Sequence, residues 1–153
     1  MMSSISKRAA VAALLAGVAL AGCKNISFRS ASDDMRAKSF VVTAGKSAIY
    51  VVRPGSIRNL PLAVVLDDKL TARTGPCSYL LWEVAPGAHE ILAYGENISR
   101  VALKTEAGKA YFVRQDVAGG LWSPRTLLVA VDDAAGRKEV SDCRLVDSGT
   151  PKQ

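Results

Sequence analysis

Short apolar segments recur about every ten residues from Lys46 onward, and this spacing constrains the fold more than any other feature. The segments are rich in Val, Ile, Leu and Tyr, and Gly, Pro, Asn and Asp separate them. These separators favour turns, so the pattern is typical of an antiparallel sandwich or barrel. We predict an all-β domain, a single antiparallel β-sandwich of about seven or eight strands, over residues 47–147. The predicted strands cover residues 47–53, 62–67, 79–84, 88–95, 99–106, 109–117, 125–132 and 138–146.

Two of these segments also predict where their strands lie in a sheet. Residues 49–52 are apolar at every position, which indicates a central strand that is buried on both faces. Residues 100–106 alternate polar and apolar side chains, which indicates a strand with one face in water. The stretches "AGKSAIYVVR" (44–53) and "AGKAYFVR" (107–114) echo each other, and we interpret them as similar entries into two strands rather than as a duplication.

A different pattern occupies the first 22 residues. Lys7 and Arg8 precede residues 9–22, which contain neither a charge nor a proline. This apolar run is shorter than the roughly 20 residues that a membrane-spanning helix needs. It also lacks the polar face of a helix that packs on a soluble core. The segment therefore predicts a secretory signal peptide over residues 1–22, cleaved from the mature protein.

The end of that segment, Leu20-Ala21-Gly22-Cys23, resembles the lipobox of bacterial lipoproteins. The resemblance implies that the mature chain begins at Cys23 and carries three acyl chains, two through its sulfur and one on its amino group. A single acyl chain holds a protein only marginally, whereas three make its release from a membrane negligible. Residues 23–46 are polar and mixed, and they predict a lipidated N-terminus and tether with a short helical turn at 33–38. Residues 148–153 predict a disordered tail.

The residue after the cysteine bears on the choice of membrane. Lipoproteins kept in the inner membrane of enteric bacteria usually have Asp at this position, whereas this chain has Lys24. The resemblance therefore implies an outer-membrane lipoprotein that faces the periplasm.

The charge argues against a nucleic-acid partner. Two of the twenty basic residues, Lys7 and Arg8, lie in the signal segment, so eighteen remain against fourteen acidic residues, a net charge of +4. The basic residues are scattered along the chain, whereas nucleic-acid binding needs clustered Lys and Arg with stacking aromatic residues.

Two cysteines remain once Cys23 is assigned to lipid. Cys77 and Cys143 would face an oxidising compartment, where an even number of cysteines favours a disulfide. The alternative is two separately buried thiols, since a bond needs Cα atoms within about 7 Å.

Five motifs resemble, in order, the bacterial lipoprotein domain of unknown function DUF2846: "IYVVRPG", "LDDKL", "YLLWEVAPGAHEI", "VALKTEAGKAYFVRQDV" and "TLLVAVDDAAGRKEV". The resemblance covers residues 47–146, and its most specific parts are the Pro-Gly-x-His turn at 86–89 and the strand entry at 107–111. It implies a small all-β sandwich without assigned catalytic residues. Cys77 departs from the family pattern, which has a small or polar residue there.

The sequence gives little evidence for catalytic or metal-binding residues. No carboxylate lies at a fixed sequence offset from His89, whereas a catalytic triad needs a nucleophile and an orienting acid within hydrogen-bond reach of the histidine. We interpret His89 as a residue at the start of a strand that forms a hydrogen bond with a turn. The sequence lacks a Cys-x-x-Cys pair, the short ligand spacing typical of zinc sites, so we expect neither a metal nor a cofactor. The alternative function is a small thiol-dependent or hydrolytic envelope enzyme that uses Cys77 and His89.

Two loops supply the candidate binding residues. "RPGSIRN" (53–59) carries Arg53 and Arg58, and "AGGLWSPR" (118–125) carries Trp122 and Arg125. Trp122 is either a lid on the core or an exposed contact residue. If both loops lie at one end of the sandwich, they form a cationic, aromatic rim suited to a peptide, a glycan or an anionic lipid. We therefore expect a non-enzymatic binding or scaffolding lipoprotein, held in the membrane by its acyl chains, with an envelope protein or glycan as possible partner.

Overall fold

The structure is a computed structural model that describes residues 26–55 and 59–148. Its elements, in chain order, are α1 (Ala31–Ala37), β1 (Ser47–Arg53), β2 (Leu62–Leu66), β3 (Leu70–Thr74), β4 (Ser78–Val84), β5 (Gly87–Tyr94), β6 (Ile98–Thr105), β7 (Ala110–Ala118), β8 (Arg125–Val131), α2 (Asp133–Asp142) and β9 (Arg144–Leu145).

The strands form two sheets, which confirms the predicted all-β sandwich. One sheet has five strands in the order β8-β7-β1-β4-β9, and the other has four in the order β3-β2-β5-β6. A hydrophobic core drawn from both sheets fills the space between them, with Trp82 and Leu80 from one sheet and Val64 and Ile91 from the other. Burial of these apolar surfaces is the main force that holds the two layers together.

Two strand pairs depart from the expected antiparallel arrangement. β1 pairs antiparallel with β4 but parallel with β7, and β9 pairs parallel with β4. A parallel pair requires a long crossover connection, and here about sixty residues of chain separate the two members of each pair. The apolar pattern of a strand does not specify which other strand it will pair with.

β1 is buried at every position, which confirms the predicted central strand. Its alternate residues face two different cores. Ile49 and Val51 point into the core between the sheets, whereas Tyr50 and Val52 belong to a second core on the outer face of the five-stranded sheet. The second core is covered by α1, α2 and the segment between α1 and β1. Helices on that face explain why β1 has no polar side.

The two echoing sequence stretches enter neighbouring strands. Gly45 and Gly108 both have φ near +75°, at +74° and +77°, a conformation that glycine adopts without strain. Each glycine is the third residue of a turn, closed by hydrogen bonds from the Lys46 N–H to the Thr43 carbonyl and from the Lys109 N–H to the Glu106 carbonyl. The following strands β1 and β7 are paired in parallel, with Tyr50 opposite Phe112. Similar local sequences therefore produce two similar strand entries side by side.

The predicted last strand, residues 138–146, is wrong for most of its length. Residues 133–142 form α2, and only Arg144–Leu145 is extended. The side chain of Asp132 caps the helix by accepting a hydrogen bond from the Ala135 N–H, which satisfies a free helical donor. Gly136 lies against the ring of Phe112, where an added Cβ would clash. The glycine that reads as a turn signal thus permits close packing of a helix on the sheet.

Residues 26–46 are not the predicted tether, because they pack on the sandwich. Ile26 contacts the inner core, and Phe40 packs in the outer core against Tyr50 and Phe112. The hydroxyl of Tyr50 donates a hydrogen bond to the carbonyl of Ala37 at 2.8 Å. The predicted helical turn at 33–38 overlaps α1, which begins two residues earlier and ends at Ala37. The segment therefore belongs to the domain.

Asp34 is the main polar link between α1 and the sheet. One carboxylate oxygen accepts hydrogen bonds from the hydroxyl of Tyr79 at 2.9 Å and from the Leu145 N–H at 2.7 Å. The other oxygen lies 2.8 Å from the ammonium group of Lys38. Burial alone would raise the pKa of Asp34, but these three donors outweigh it and lower the pKa below its usual range.

Three predictions fall wholly or mostly outside the described residues: the signal peptide at 1–22, the acylated Cys23 and the tail at 148–153. Of the tail, only Ser148 is described, and its carbonyl accepts a hydrogen bond from the indole N–H of Trp82 at 3.0 Å.

We predict that Asp34→Ala lowers the free energy of unfolding by about 1 to 3 kcal/mol, because it leaves the Leu145 N–H without its acceptor. Asp33→Ala, which removes ion pairs with Arg29 and Arg36, is the matched control and should cost clearly less, because exposed ion pairs contribute little to stability. Urea denaturation of both variants measures the difference. Equal losses would contradict the link through Asp34.

The same residue predicts a dependence on pH. A carboxyl group whose pKa is lower in the folded chain stabilises the fold above its unfolded pKa, and this contribution is lost as the pH falls through the folded pKa. Wild-type protein should therefore lose stability below about pH 4. Asp34→Ala should show a shallower loss in denaturation curves recorded across that range. An unchanged slope would contradict the assignment.

Candidate functional site

One end of the sandwich collects the loops that carry the candidate binding residues. We call it the loop end, the end where β1 and β7 finish and β4 and β8 begin. Its described parts are residues 54–55, 59–61, 75–77, 95–97 and 119–124. Binding residues are often presented on loops by a rigid scaffold.

Trp122 is exposed, not a lid on the core. The residue is 90% exposed, and the preceding Leu121 is 80% exposed. Tryptophan is rarely so exposed in a soluble domain. Of the two interpretations left open by the sequence, the structure therefore supports the contact residue.

The loop that carries Trp122 is fixed by Glu96, at the tip of the β5–β6 hairpin. A carboxylate oxygen of Glu96 accepts hydrogen bonds from the backbone N–H groups of Trp122 at 2.9 Å and Ser123 at 3.2 Å. The Glu96 N–H donates in turn to the carbonyl of Pro124 at 2.9 Å. The bonds from Trp122 and Ser123 are the main reason that the pKa of Glu96 is lowered. An ionised carboxylate thus holds an apolar loop in one conformation.

Arg125 lies beside this loop. It is exposed at the start of β8, and its positive charge contributes to the lowered pKa of Glu96. The adjacent Thr126 is held by Asn97, whose side chain accepts from the Thr126 N–H and donates to its carbonyl. Trp122 and Arg125 therefore share one firmly held rim.

Arg53 does not belong to this rim, which corrects the sequence prediction. Its side chain is fully buried. The guanidinium group donates hydrogen bonds to the carbonyls of Leu60 at 2.8 Å and Thr74 at 3.2 Å, and burial lowers the pKa of Arg53. The residue ties β1 to the loop before β2 and to the end of β3, so it supports the loop end from inside. Arg58 lies outside the described residues.

Several apolar residues at the loop end were missed by sequence reasoning. Leu60 and Leu121 are exposed there together with Trp122, and Tyr94 and Ile98 are exposed on the strand ends that border it. Tyr94 and Ile98 face each other across the β5–β6 hairpin. Such positions look like ordinary strand ends in a sequence, and only the packing shows that their side chains point outward. Glu96 was missed too, because it reads as one more acidic turn residue.

The predicted Cys77–Cys143 disulfide is absent: both residues are free thiols. The Cys77 thiol donates to the carbonyl of Asp142 at 3.2 Å, and the Cys143 sulfur lies 4.0 Å from the carbonyl of Arg53. The two side chains are neighbours. Burial, followed by the adjacent Cys77 thiol, raises the pKa of the Cys143 thiol far above its usual range, so Cys143 is a poor nucleophile.

His89 lies at the opposite end of the sandwich. Its Nδ1 is 2.6 Å from a carboxylate oxygen of Asp67, and its Nε2 is 2.7 Å from the carbonyl of Ala85. The other oxygen of Asp67 accepts from the Glu90 N–H at 2.8 Å. Both ring nitrogens are therefore occupied by turn contacts, in agreement with a structural role at a strand start.

These positions separate the two residues of the proposed thiol enzyme. Cys77 directly precedes the seven-residue strand β4, whereas His89 is bonded to Ala85, which directly follows it. At about 3.3 Å per residue, such a strand spans roughly 20 Å or more. A base must lie within hydrogen-bond reach of its nucleophile. Cys77 and His89 therefore cannot act on one substrate bond.

Residues 26–55 and 59–148 contain neither a metal-binding cluster nor a helix that could span a membrane. Within these ranges, no three His, Cys, Asp or Glu side chains gather in a group that would hold a metal ion. No helix there has both the length and the hydropathy to cross a membrane.

A cavity of about 610 Å³ lies on the outer face of the five-stranded sheet, beside α1. Tyr50 and Leu81 contribute to its lining, as do Arg29, Arg36, Lys46, Asp33 and Glu83. Its acidic groups are engaged within the protein: Asp33 pairs with the two arginines, and Glu83 accepts from the N–H and hydroxyl of Thr43. The cavity lies apart from the rim.

Comparisons with known proteins supply no activity. No protein-family model matches the chain. A protein of Haemophilus influenzae that carries the name "Uncharacterized protein" is 29% identical over 141 residues, an alignment that covers 89% of this chain and 84% of the relative. The similarity extends over nearly the full length of both proteins. The resemblance to the DUF2846 domain therefore stays a prediction.

We predict opposite effects for the two described candidate arginines. Arg53→Ala should lower the free energy of unfolding by roughly 2 to 4 kcal/mol, because a buried and a partly buried carbonyl lose their donor and the packed stem is removed. Arg125→Ala should change it by less than about 0.5 kcal/mol, as for most exposed positions. Chemical denaturation of the two variants measures both values. Similar values for the two would contradict this division of roles.

We also predict that both thiols react with iodoacetamide in the absence of a reductant. Cys77 should react first in the folded protein, and Cys143 only after denaturation, because Cys143 is buried and a thiol is reactive only as a thiolate. Mass spectrometry after each step counts the labels. Denatured protein that takes no label would contradict the free thiols and restore the predicted disulfide.

Proposed function

We propose that this chain is a lipoprotein of the bacterial cell envelope whose β-sandwich is a non-enzymatic binding or scaffolding module. Acyl chains on Cys23 anchor it to a membrane, and Lys24 favours the outer membrane with the domain facing the periplasm. The proposal combines the lipobox-like sequence with the geometry of the loop end.

The observation that carries the binding role is the exposed Trp122 on a loop held by Glu96. Exposed apolar residues that form a patch on a soluble domain commonly mark a contact surface. A contact loop that is already ordered loses little conformational entropy on binding. Trp122, Leu121 and Arg125 together offer aromatic, aliphatic and cationic groups on such a loop, which suits an envelope component better than a small polar substrate.

The described part of the chain favours this role over the enzymatic alternative. Cys77 and His89 are held apart by the length of β4, and both nitrogens of His89 are occupied by Asp67 and Ala85. A binding module needs only the surface that the loop end already presents.

The anchoring is tested with Cys23→Ser in the full-length chain. Wild-type protein should begin at Cys23, carry acyl chains in its intact mass and partition into a detergent phase. The variant should stay uncleaved and unacylated, because cleavage by the lipoprotein signal peptidase follows lipid transfer to the thiol. Cys77→Ser is the matched control and should be processed like the wild type. A Cys23→Ser protein with wild-type mass and partitioning would contradict the proposal.

A further inference from the structure

We propose that the loop end lies against the bilayer that anchors the chain, with Trp122 and Leu121 in the interface between lipid and water. This inference rests on the proposed acylation of Cys23 and names the partner of the rim. It concerns the orientation of the domain, which acylation alone leaves open.

The first argument is the short distance between anchor and fold. The side chain of Ile26 packs directly on Gly75, where an added Cβ would overlap with it. Gly75 follows β3 at the loop end. Cys23 is three residues from Ile26, and three residues span at most about 11 Å. Acyl chains on Cys23 would therefore hold the loop end close to the membrane surface, because the fold begins to pack at Ile26.

The second argument is the distribution of exposed apolar side chains. The described part of the chain has nine large apolar residues with high exposure. Five of these nine lie at the loop end or on the strand ends that border it: Leu60, Tyr94, Ile98, Leu121 and Trp122. The apolar groups are thus concentrated at the end from which the anchor leaves.

The third argument is the chemistry of these groups. Trp and Tyr are enriched at membrane–water interfaces, where an amphipathic ring sits at the level of the headgroups. Arg125 lies beside Trp122, and Arg73 lies on β3 in the strand row that contains Tyr94 and Ile98. Basic residues next to a bilayer are attracted to anionic lipids. Glu96 is exposed, but one of its carboxylate oxygens accepts hydrogen bonds from two backbone N–H groups of the Trp122 loop, which offsets part of its negative charge.

A soft lipid surface also fits the shape of the rim. Leu121 and Trp122 protrude with most of their surface exposed, and the backbone that carries them is held by Glu96. A protruding apolar pair on an ordered loop inserts into a headgroup layer without needing a matching pocket.

Tryptophan fluorescence tests this orientation directly. The described chain contains one buried tryptophan, Trp82, and one exposed, Trp122, so Trp122→Phe removes the exposed signal alone. Full-length acylated protein is reconstituted into vesicles of phosphatidylethanolamine and phosphatidylglycerol. Flotation reports anchoring, and quenching by lipids brominated near the headgroup reports contact. The difference between the wild-type and Trp122→Phe spectra is the emission of Trp122. On the vesicles, this emission should shift to shorter wavelength and be quenched by the brominated lipids.

A second variant gives the matched control. Val41 is 79% exposed and lies away from the loop end, between α1 and β1. In Trp122→Phe/Val41→Trp, the exposed tryptophan should be quenched by acrylamide in water and not by the brominated lipids.

The outcomes separate this inference from the proposed function. Protein that floats with the vesicles while Trp122 stays open to acrylamide would overturn the orientation and leave the anchoring intact. Shielding of Trp122 only in whole envelopes, and not on vesicles, would point to a protein or glycan partner and would also overturn it. If full-length wild-type protein carries no acyl chains and does not float with the vesicles, both the proposed function and the orientation are contradicted.

Discussion

The burial of β1 on both faces is the constraint on which the rest of the structure depends. Residues 47–53 lie between β4 and β7 and contribute side chains to both cores. A strand without a polar face needs cover on each side. The second sheet covers one face, and α1 and α2 cover the other. The N-terminal segment therefore has to pack on the domain, which brings the predicted acylation site close to the fold.

The same strand organises the loop end. β1 finishes at Arg53, whose buried guanidinium group binds the carbonyls of Leu60 and Thr74. A buried charge is costly unless it is well bonded, so these contacts fix the loop before β2 and the end of β3. Glu96, in the β5–β6 loop, fixes the Trp122 loop in the same way, because its carboxylate accepts hydrogen bonds from the backbone of that loop. The buried Arg53 and the exposed Glu96 thus fix the loops that present the apolar residues.

Local patterns predicted the sandwich, the central strand and the wet face of β6, because strand burial follows directly from the alternation of side chains. Local patterns did not predict the strand pairing, because nothing in the pattern of β1 specifies a parallel neighbour. Residues 138–146 were misread because Gly136 looks like a turn residue until Phe112 is seen beneath it. Arg53 was misassigned for a similar reason: a charged residue beside Pro-Gly looks exposed, and its carbonyl partners come from distant segments. Trp122 and Arg125 could be nominated from the composition of their loop, whereas the contacts of Glu96 are visible only in the folded chain.

The most direct measurement is cross-linking in living cells from a photoreactive amino acid placed at Leu121, with the same probe at Val41 for comparison. If the loop end rests on the bilayer, the probe at Leu121 forms adducts with phospholipid, and the probe at Val41 does not. A discrete protein or peptidoglycan adduct at Leu121, without lipid, would contradict the central claim.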